Sequence, residues 1–204
     1  MAAKVLGLIN GRLKFLYRKQ KFLNYPLKRL LCNALIQPHY DYACSAWYPN
    51  LNKRLSKKIQ ISQNKCIRYC LGLGNRAHIG VKEFEKINWL PSKERVQQCI
   101  SVSIYKFFKN ISPAYTSEIY QPTDQTRNTR SSKHRLHLPY RNSNQGQKGL
   151  SFIGPKIWNK LSSETKTAGS VNTFKHNTKK IFFKDLKRKE DDIYIYIYIL
   201  LTTS

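Results

Sequence analysis

Acidic residues are scarce in this sequence. Eleven Asp and Glu stand against 37 Lys and Arg, a net charge of +26, and no acid precedes Asp41. Self-repulsion of that size opposes a compact chain until a polyanion neutralises it. So lopsided a balance points to phosphate-bearing partners, with an anionic membrane surface as the other counter-surface. Apolar runs are short, and none reaches the roughly 20 residues that span a bilayer. The first fifteen residues, MAAKVLGLINGRLKF, have neither the compact apolar core nor the cleavage site of a secretory signal. Five cysteines, an odd number without framework spacing, fit reduced thiols. The expected setting is intracellular, nuclear or cytoplasmic, away from membranes. A Gly-rich phosphate loop and a Gly-x-Ser-x-Gly elbow are both missing, which removes two common enzyme classes.

What is present is helical periodicity. Residues 3–22 read as one helix with Val5, Leu6, Ile9, Leu13, Leu16 and Tyr17 as its apolar stripe. Its other faces carry Lys4, Arg12, Lys14, Arg18, Lys19 and Lys21. A solvated helix face mixes charge signs, so a face of one sign suggests phosphate contact. From Pro26 the apolar spacing of Leu27, Leu30, Leu31, Ala34 and Leu35 predicts a second helix, which Pro38 ends or kinks. The aromatic cluster after it, His39, Tyr40, Tyr42, Trp47 and Tyr48, reads as the hub of a core. A third helix is expected over 51–71, with Leu51, Leu55, Ile59, Ser62, Cys66 and Cys70 near one face and Gly72 as its stop. Lys57, Lys58, Lys65 and Arg68 sit on the rest of that helix, and Arg76 follows it.

Residues 81–90 predict a short helix inward through Val81, Phe84 and Ile87. Ser92 is a natural cap for a helix over 93–109 whose inner face is Val96, Ile100, Ile104, Phe107 and Phe108. Ser112-Pro113 opens another to Tyr120. Residues 121–149 turn polar; one or two short strands in a loop, or a disordered linker, both fit. That segment carries Arg127, Arg130, Lys133, Arg135 and Arg141, placed to touch nucleic acid. Apolar residues return at Leu150, Phe152, Ile153, Ile157, Trp158 and Leu161, and Ser170 caps a last helix with Val171, Phe174, Thr178, Ile181 and Phe182 on one face. The end, IYIYIYILL, alternates like a strand and is an aggregation hazard. It is also what a TATATA repeat encodes in frame; codons lacking such a repeat would remove that explanation.

These motifs, in order, resemble the region after the catalytic palm in reverse transcriptases of non-LTR (LINE-type, jockey-like) retrotransposons. The resemblance spans roughly residues 3–187 and rests on Lys4-Val5-Leu6-Gly7, on the run from Leu35 through Pro38, Tyr42 and Ala43 to Trp47, and on Ile61, Gln63 and Arg68. It continues through Trp89-Leu90-Pro91 with Arg95, Thr129-Arg130-Ser131, and Phe152, Gly154, Pro155, Trp158, Asn159 and Leu161. Ser162 replaces the family's proline, and Arg141-Asn142 follows its pattern only partly.

The resemblance implies a mainly α fold: a thumb-like helical region over 1–75, a helical connector over 76–120, a basic polar loop or linker over 121–149 and a C-terminal helical region with short strands or loops over 150–187. Residues 188–204, beyond it, read as a disordered low-complexity tail. It implies RNA and DNA, as a template–primer duplex, for partners. Lys4, Arg12, Lys14, Arg18, Lys19, Lys21, Lys57, Lys58, Lys65, Arg68, Arg76, Arg127, Arg130, Arg135 and Arg141 are the residues that would touch it. Fingers and palm would precede such a thumb, so Met1 reads as a start inside a longer frame.

Catalysis is not expected of this chain. A polymerase holds two Mg²⁺ ions about 3.5–4 Å apart on paired carboxylates. The adjacent pair here, Asp191-Asp192, follows Arg188-Lys189-Glu190 rather than an aromatic and reads as a solvated charge cluster; Asp41 reads as a structural acceptor. Mg²⁺ would belong to the intact parent polymerase, and neither a cofactor nor a small-molecule substrate is expected for this chain. Cys66, Cys70, His78 and Glu83 imitate a zinc knuckle, but structural zinc favours Cys and His, and two small thiols on a core face suffice to explain the spacing. His134 and His137 lie in a basic loop that repels a metal. Two other readings stay open: a domesticated basic helical nucleic-acid-binding protein, and a non-functional frame from a decayed element.

Overall fold

Two asparagines start two of the longer helices. Asn24 Oδ1 accepts the Leu27 amide at 3.1 Å, and Asn52 Oδ1 accepts the Leu55 amide at 2.8 Å. Each satisfies an N–H that a first helical turn leaves unpaired. The structure is a computed structural model that describes residues 1–123 and 134–202, with only the backbone of 193–202. Over those residues the chain is mainly α, as the periodicity predicts.

In order, α1 spans Ala2–Arg18 and runs into a 3-10 turn at Gln20–Phe22; α2 spans Tyr25–Leu35, α3 Gln37–Asp41 and α4 Cys44–Trp47. Then come α5, Lys53–Leu71; α6, Val81–Lys86; α7, Ser92–Phe108; and α8, Thr116–Ile119. The chain closes with α9, Leu150–Trp158; α10, Ser163–Lys166; and α11, Val171–Thr202. Among the described residues none of these helices is long and apolar enough to cross a membrane.

Two apolar clusters organise the helices. The first gathers Val5, Ile9, Leu13 and Leu16 of α1, Cys32 and Ile36, and Ile59, Cys66, Ile67 and Cys70 of α5, closed by Phe84, Ile87 and Trp89. The second gathers Val96, Ile100, Ile104 and Tyr105 of α7 around Trp158, Tyr120 and Phe174. Tyr105 and Phe174 stack with ring centroids 4.5 Å apart, and Phe108 stacks on Trp158 at 5.2 Å. Trp47 and Tyr48 pack against both clusters and Tyr40 is buried in the first, so these three act as the expected hub, whereas Tyr42 is exposed and His39 belongs to neither cluster. α11 also serves both, with Phe174 in the second and Phe183 against the first.

Buried amides join the elements where apolar packing leaves backbone groups over. Gln63 donates to Leu90 O at 2.9 Å. Gln60 Oε1 accepts both the amide and the hydroxyl of Ser92. Asn159 donates to Leu136 O at 2.8 Å and accepts its amide at 3.0 Å, as a neighbouring strand would.

Local expectations differ from the structure in four places. The α2 stripe leaves Leu27 and Leu30 44% and 60% exposed and turns Cys32 inward, because the core takes the line Cys32, Ile36, Tyr40 that passes straight through the bend. Pro38 does break the helix as expected: α2 stops at Leu35, and Pro38 lies in the first turn of α3, where its missing N–H costs nothing. Ser92 is the first residue of α7 rather than its cap; Pro91 takes that position, and Ser92 bonds to Gln60 and Tyr48 instead. In the polar segment only an isolated antiparallel bridge, Pro122 to Leu136, is formed among the described residues. The segment from 188, expected as a disordered tail, is helical through Thr202; no Gly or Pro interrupts the chain after Val171.

Other expectations hold. Gly72 ends α5 at φ +66°, and Ser170 Oγ accepts the Thr173 amide at 3.1 Å as α11 begins.

Candidate nucleic-acid interface

α1 and α5 run side by side in the same direction. Ala3, Leu6, Gly7 and Asn10 face Leu55, Lys58, Ile61 and Lys65 across a groove of about 420 Å³. Further along, the Tyr17 and Tyr69 rings meet edge to face at 5.0 Å. The apolar stripe of each helix is turned into the first cluster, which leaves the basic faces outward on both sides of the groove.

On the α1 side, Lys4, Gly7, Gly11, Lys14 and Arg18 follow one another at spacings of three and four and therefore share a face. All five are exposed. A Cβ added at Gly7 or Gly11 would meet nothing within 4 Å, so that face is flat and open. On the α5 side Lys58 and Lys65 line the groove, with exposed Ile61 between them. None of these cations lies within 4 Å of a carboxylate among the described residues. The arrangement is two rows of cations flanking a smooth strip, to which a sugar–phosphate backbone can come close. Such contact gives affinity and register but no base readout.

The remaining candidate residues divide. Arg12 Nη1 donates to Leu35 O at 2.7 Å, at the last turn of α2. Arg68 Nε donates to Ala77 O at 2.9 Å and so ties down the loop after α5. Both hold backbone carbonyls, and their cations are anchored rather than presented. Lys19 and Lys21 lie in the turn beyond α1, and Lys57 and Arg76 are exposed on or after α5. Arg135 and Arg141 are exposed but belong to the segment packed on α9, beside the second cluster. Arg127 and Arg130, with Lys133, fall outside the described residues.

Sequence reasoning missed the glycines. Gly7 and Gly11 sit four apart between Lys4 and Lys14, and that spacing was the available signal. Exposed Arg54, one turn before Lys58, is a basic residue of the same helix that the expected contact set leaves out.

The other chemistry-bearing residues are built into packing. Asp41 accepts both arms of Arg95, which raises the guanidinium pKa further. Cys66 is fully buried, its thiol pushed up to about 12 by burial, with Tyr40 Oη 4.0 Å away. Cys70 lies 3.9 Å from Lys28 O. Among the described residues no group of three His, Cys, Asp or Glu side chains is placed to hold a metal ion. Cys99 differs from its neighbours: contact with the Cys44 thiol, and then Arg95, lowers its pKa.

No protein-family model, curated protein or solved structure matches this chain.

Proposed function

We propose that this chain is the thumb and post-thumb part of a LINE-type reverse transcriptase and that it holds an RNA/DNA template–primer duplex along the α1–α5 groove. Lys4, Lys14, Arg18, Lys58 and Lys65 neutralise phosphates, and Gly7 and Gly11 let the backbone approach. Recognition is by charge and shape, which suits an RNA-containing duplex. The chain binds without catalysing; the paired carboxylates and their Mg²⁺ belong to a palm. The setting is intracellular, where such a duplex is made.

The observation that carries this proposal is the double row of unpaired cations flanking one open groove. The test is the salt dependence of binding to a mixed-sequence RNA/DNA hybrid. The expected slope of log K against log salt is steep and negative, and Lys58→Gln with Lys65→Gln lowers its magnitude by about 0.7–0.9 per removed contact. A flat salt response, or a slope that the double variant leaves unchanged, would overturn it.

A further inference from the structure

A second cleft lies on the other cluster. It encloses about 650 Å³ between α7, α9, α11 and the link from α4 to α5. That size is in the range of small-molecule sites. Ile100, Ile153, Ile157, Leu161 and Phe182 supply an apolar lining. Tyr48 adds a phenol whose oxygen is 3.1 Å from Ser92 Oγ. Four exposed lysines, Lys93, Lys156, Lys160 and Lys189, also line it, with two acids, Glu94 and Asp185.

These charges are not self-neutralised. Asp185 has its own cation at 3.9 Å, Arg188. None of the four lysines has a carboxylate within 4 Å among the described residues. Lys156 lies 5.7 Å over the Phe152 ring. Burial raises the Glu94 pKa, against the pull of the Lys93 and Lys189 charges, so one carboxylate faces the four lysines once Asp185 is assigned to Arg188. The first turn of α7 also opens here, its N–H groups adding positive character.

A cleft that joins an apolar lining to exposed, unpaired cations selects a ligand of the same division. We propose that this cleft binds a small amphiphilic anion, an unbranched apolar chain ending in a carboxylate, with the chain on Ile153, Ile157 and Phe182 and the head among Lys93, Lys160 and Lys189. A neutral apolar molecule would leave those ammoniums unpaired, and a nucleic-acid backbone would leave the apolar lining unused. This site shares no residue with the α1–α5 groove and does not depend on the function proposed for it.

The probe is dodecanoate below its micelle concentration, titrated calorimetrically into the whole chain at an ionic strength of about 0.15 M. Binding should be at least about tenfold tighter than for acetate or for dodecanol, a difference of about 1.4 kcal/mol. Lys93→Gln with Lys189→Gln, two exposed positions that leave the core alone, should remove the advantage over dodecanol. Ile157→Trp, which fills the cleft without changing charge, should weaken dodecanoate about tenfold while hybrid binding stays the same. Equal binding of dodecanoate and dodecanol would overturn the proposal. So would unchanged dodecanoate binding in the lysine variant, or in a folded Ile157→Trp protein, since the anion would then sit elsewhere on the basic surface. Should Ile157→Trp not fold, the lysine variant and the dodecanol comparison decide alone.

Discussion

Arg95 holds both oxygens of Asp41, Nε to Oδ1 at 2.8 Å and Nη2 to Oδ2 at 2.7 Å. The pair joins α3 to α7, fifty-four residues apart in sequence. Nη1 is also spent, on Gln98 Oε1 at 2.9 Å, so the guanidinium is fixed in one plane. Both side chains are about one-third exposed, which softens the pair relative to a buried one.

Asp41→Ala should therefore destabilise the fold by about 1–3 kcal/mol, read from the urea midpoint. Arg95→Lys should recover little of an Arg95→Ala loss, because an ammonium does not grip two oxygens in one plane. Full recovery by lysine would show that charge alone matters there.

The same substitution should act with opposite sign at two glycines. At Gly154 a Cβ would lie 2.8 Å from Tyr120 Cε1 and 3.3 Å from Ile104 Cδ1, both in buried side chains. Gly154→Ala should cost about 1–2 kcal/mol after its helix-propensity gain. At Gly7 the space is open, and Gly7→Ala should stabilise by about 0.5–1 kcal/mol. Thermal melts of the two variants give the comparison.

Bulk at the groove should act on binding without changing charge. Gly7→Leu with Gly11→Leu stands two side chains on the strip that the duplex would cover. Affinity for an RNA/DNA hybrid should fall about tenfold with the number of neutralised phosphates little changed, so the salt slope stays nearly the same. Equal affinity in a filter-binding titration would place the duplex elsewhere.

Lys179 sets a pH dependence. Burial, then the charges of Arg95 and Arg29, lowers its pKa to about 8, while its amine donates to Asn88 O. The unfolded chain releases that proton only near about 10.4. Between those values the unfolded state binds more protons, so stability rises with pH, and below about 8 the cost of the buried charge is present in full. Relative to Lys179→Met, the natural chain should gain stability from pH 8 to pH 10 and show a constant difference from pH 6 to pH 7. A difference that does not change across the whole range would mean an ordinary lysine.

Much of this architecture was legible because it is periodic. Ile59, Ser62, Cys66 and Cys70 mark the inner face of α5 by spacing alone, and Gly72 stops the helix where its left-handed conformation is needed. Ser92 shows the limit. Its type suits a helix cap, but Gln60 and Tyr48, 32 and 44 residues away, claim its hydroxyl. In α2 the leucines outweigh the residues that pack; Cys32 and Ile36 are inward because Tyr40 continues their line, and only the folded chain shows that line. The basic residues of the groove were visible singly. That Lys4 and Lys14 flank the same strip as Lys58 and Lys65 follows from α1 lying parallel to α5, a pairing across about fifty residues that no local pattern encodes.

α11 places Phe174 in one apolar cluster and Phe183 against the other, and further on Glu190 Oε1 accepts the Val81 amide at 3.0 Å. A helix shared in this way couples the two halves thermodynamically. Neither cluster can melt while the other keeps α11 docked without stripping one face of an intact helix of its neighbours. The chain is therefore expected to unfold as one cooperative unit, with coincident transitions by different probes, although its apolar residues form two groups.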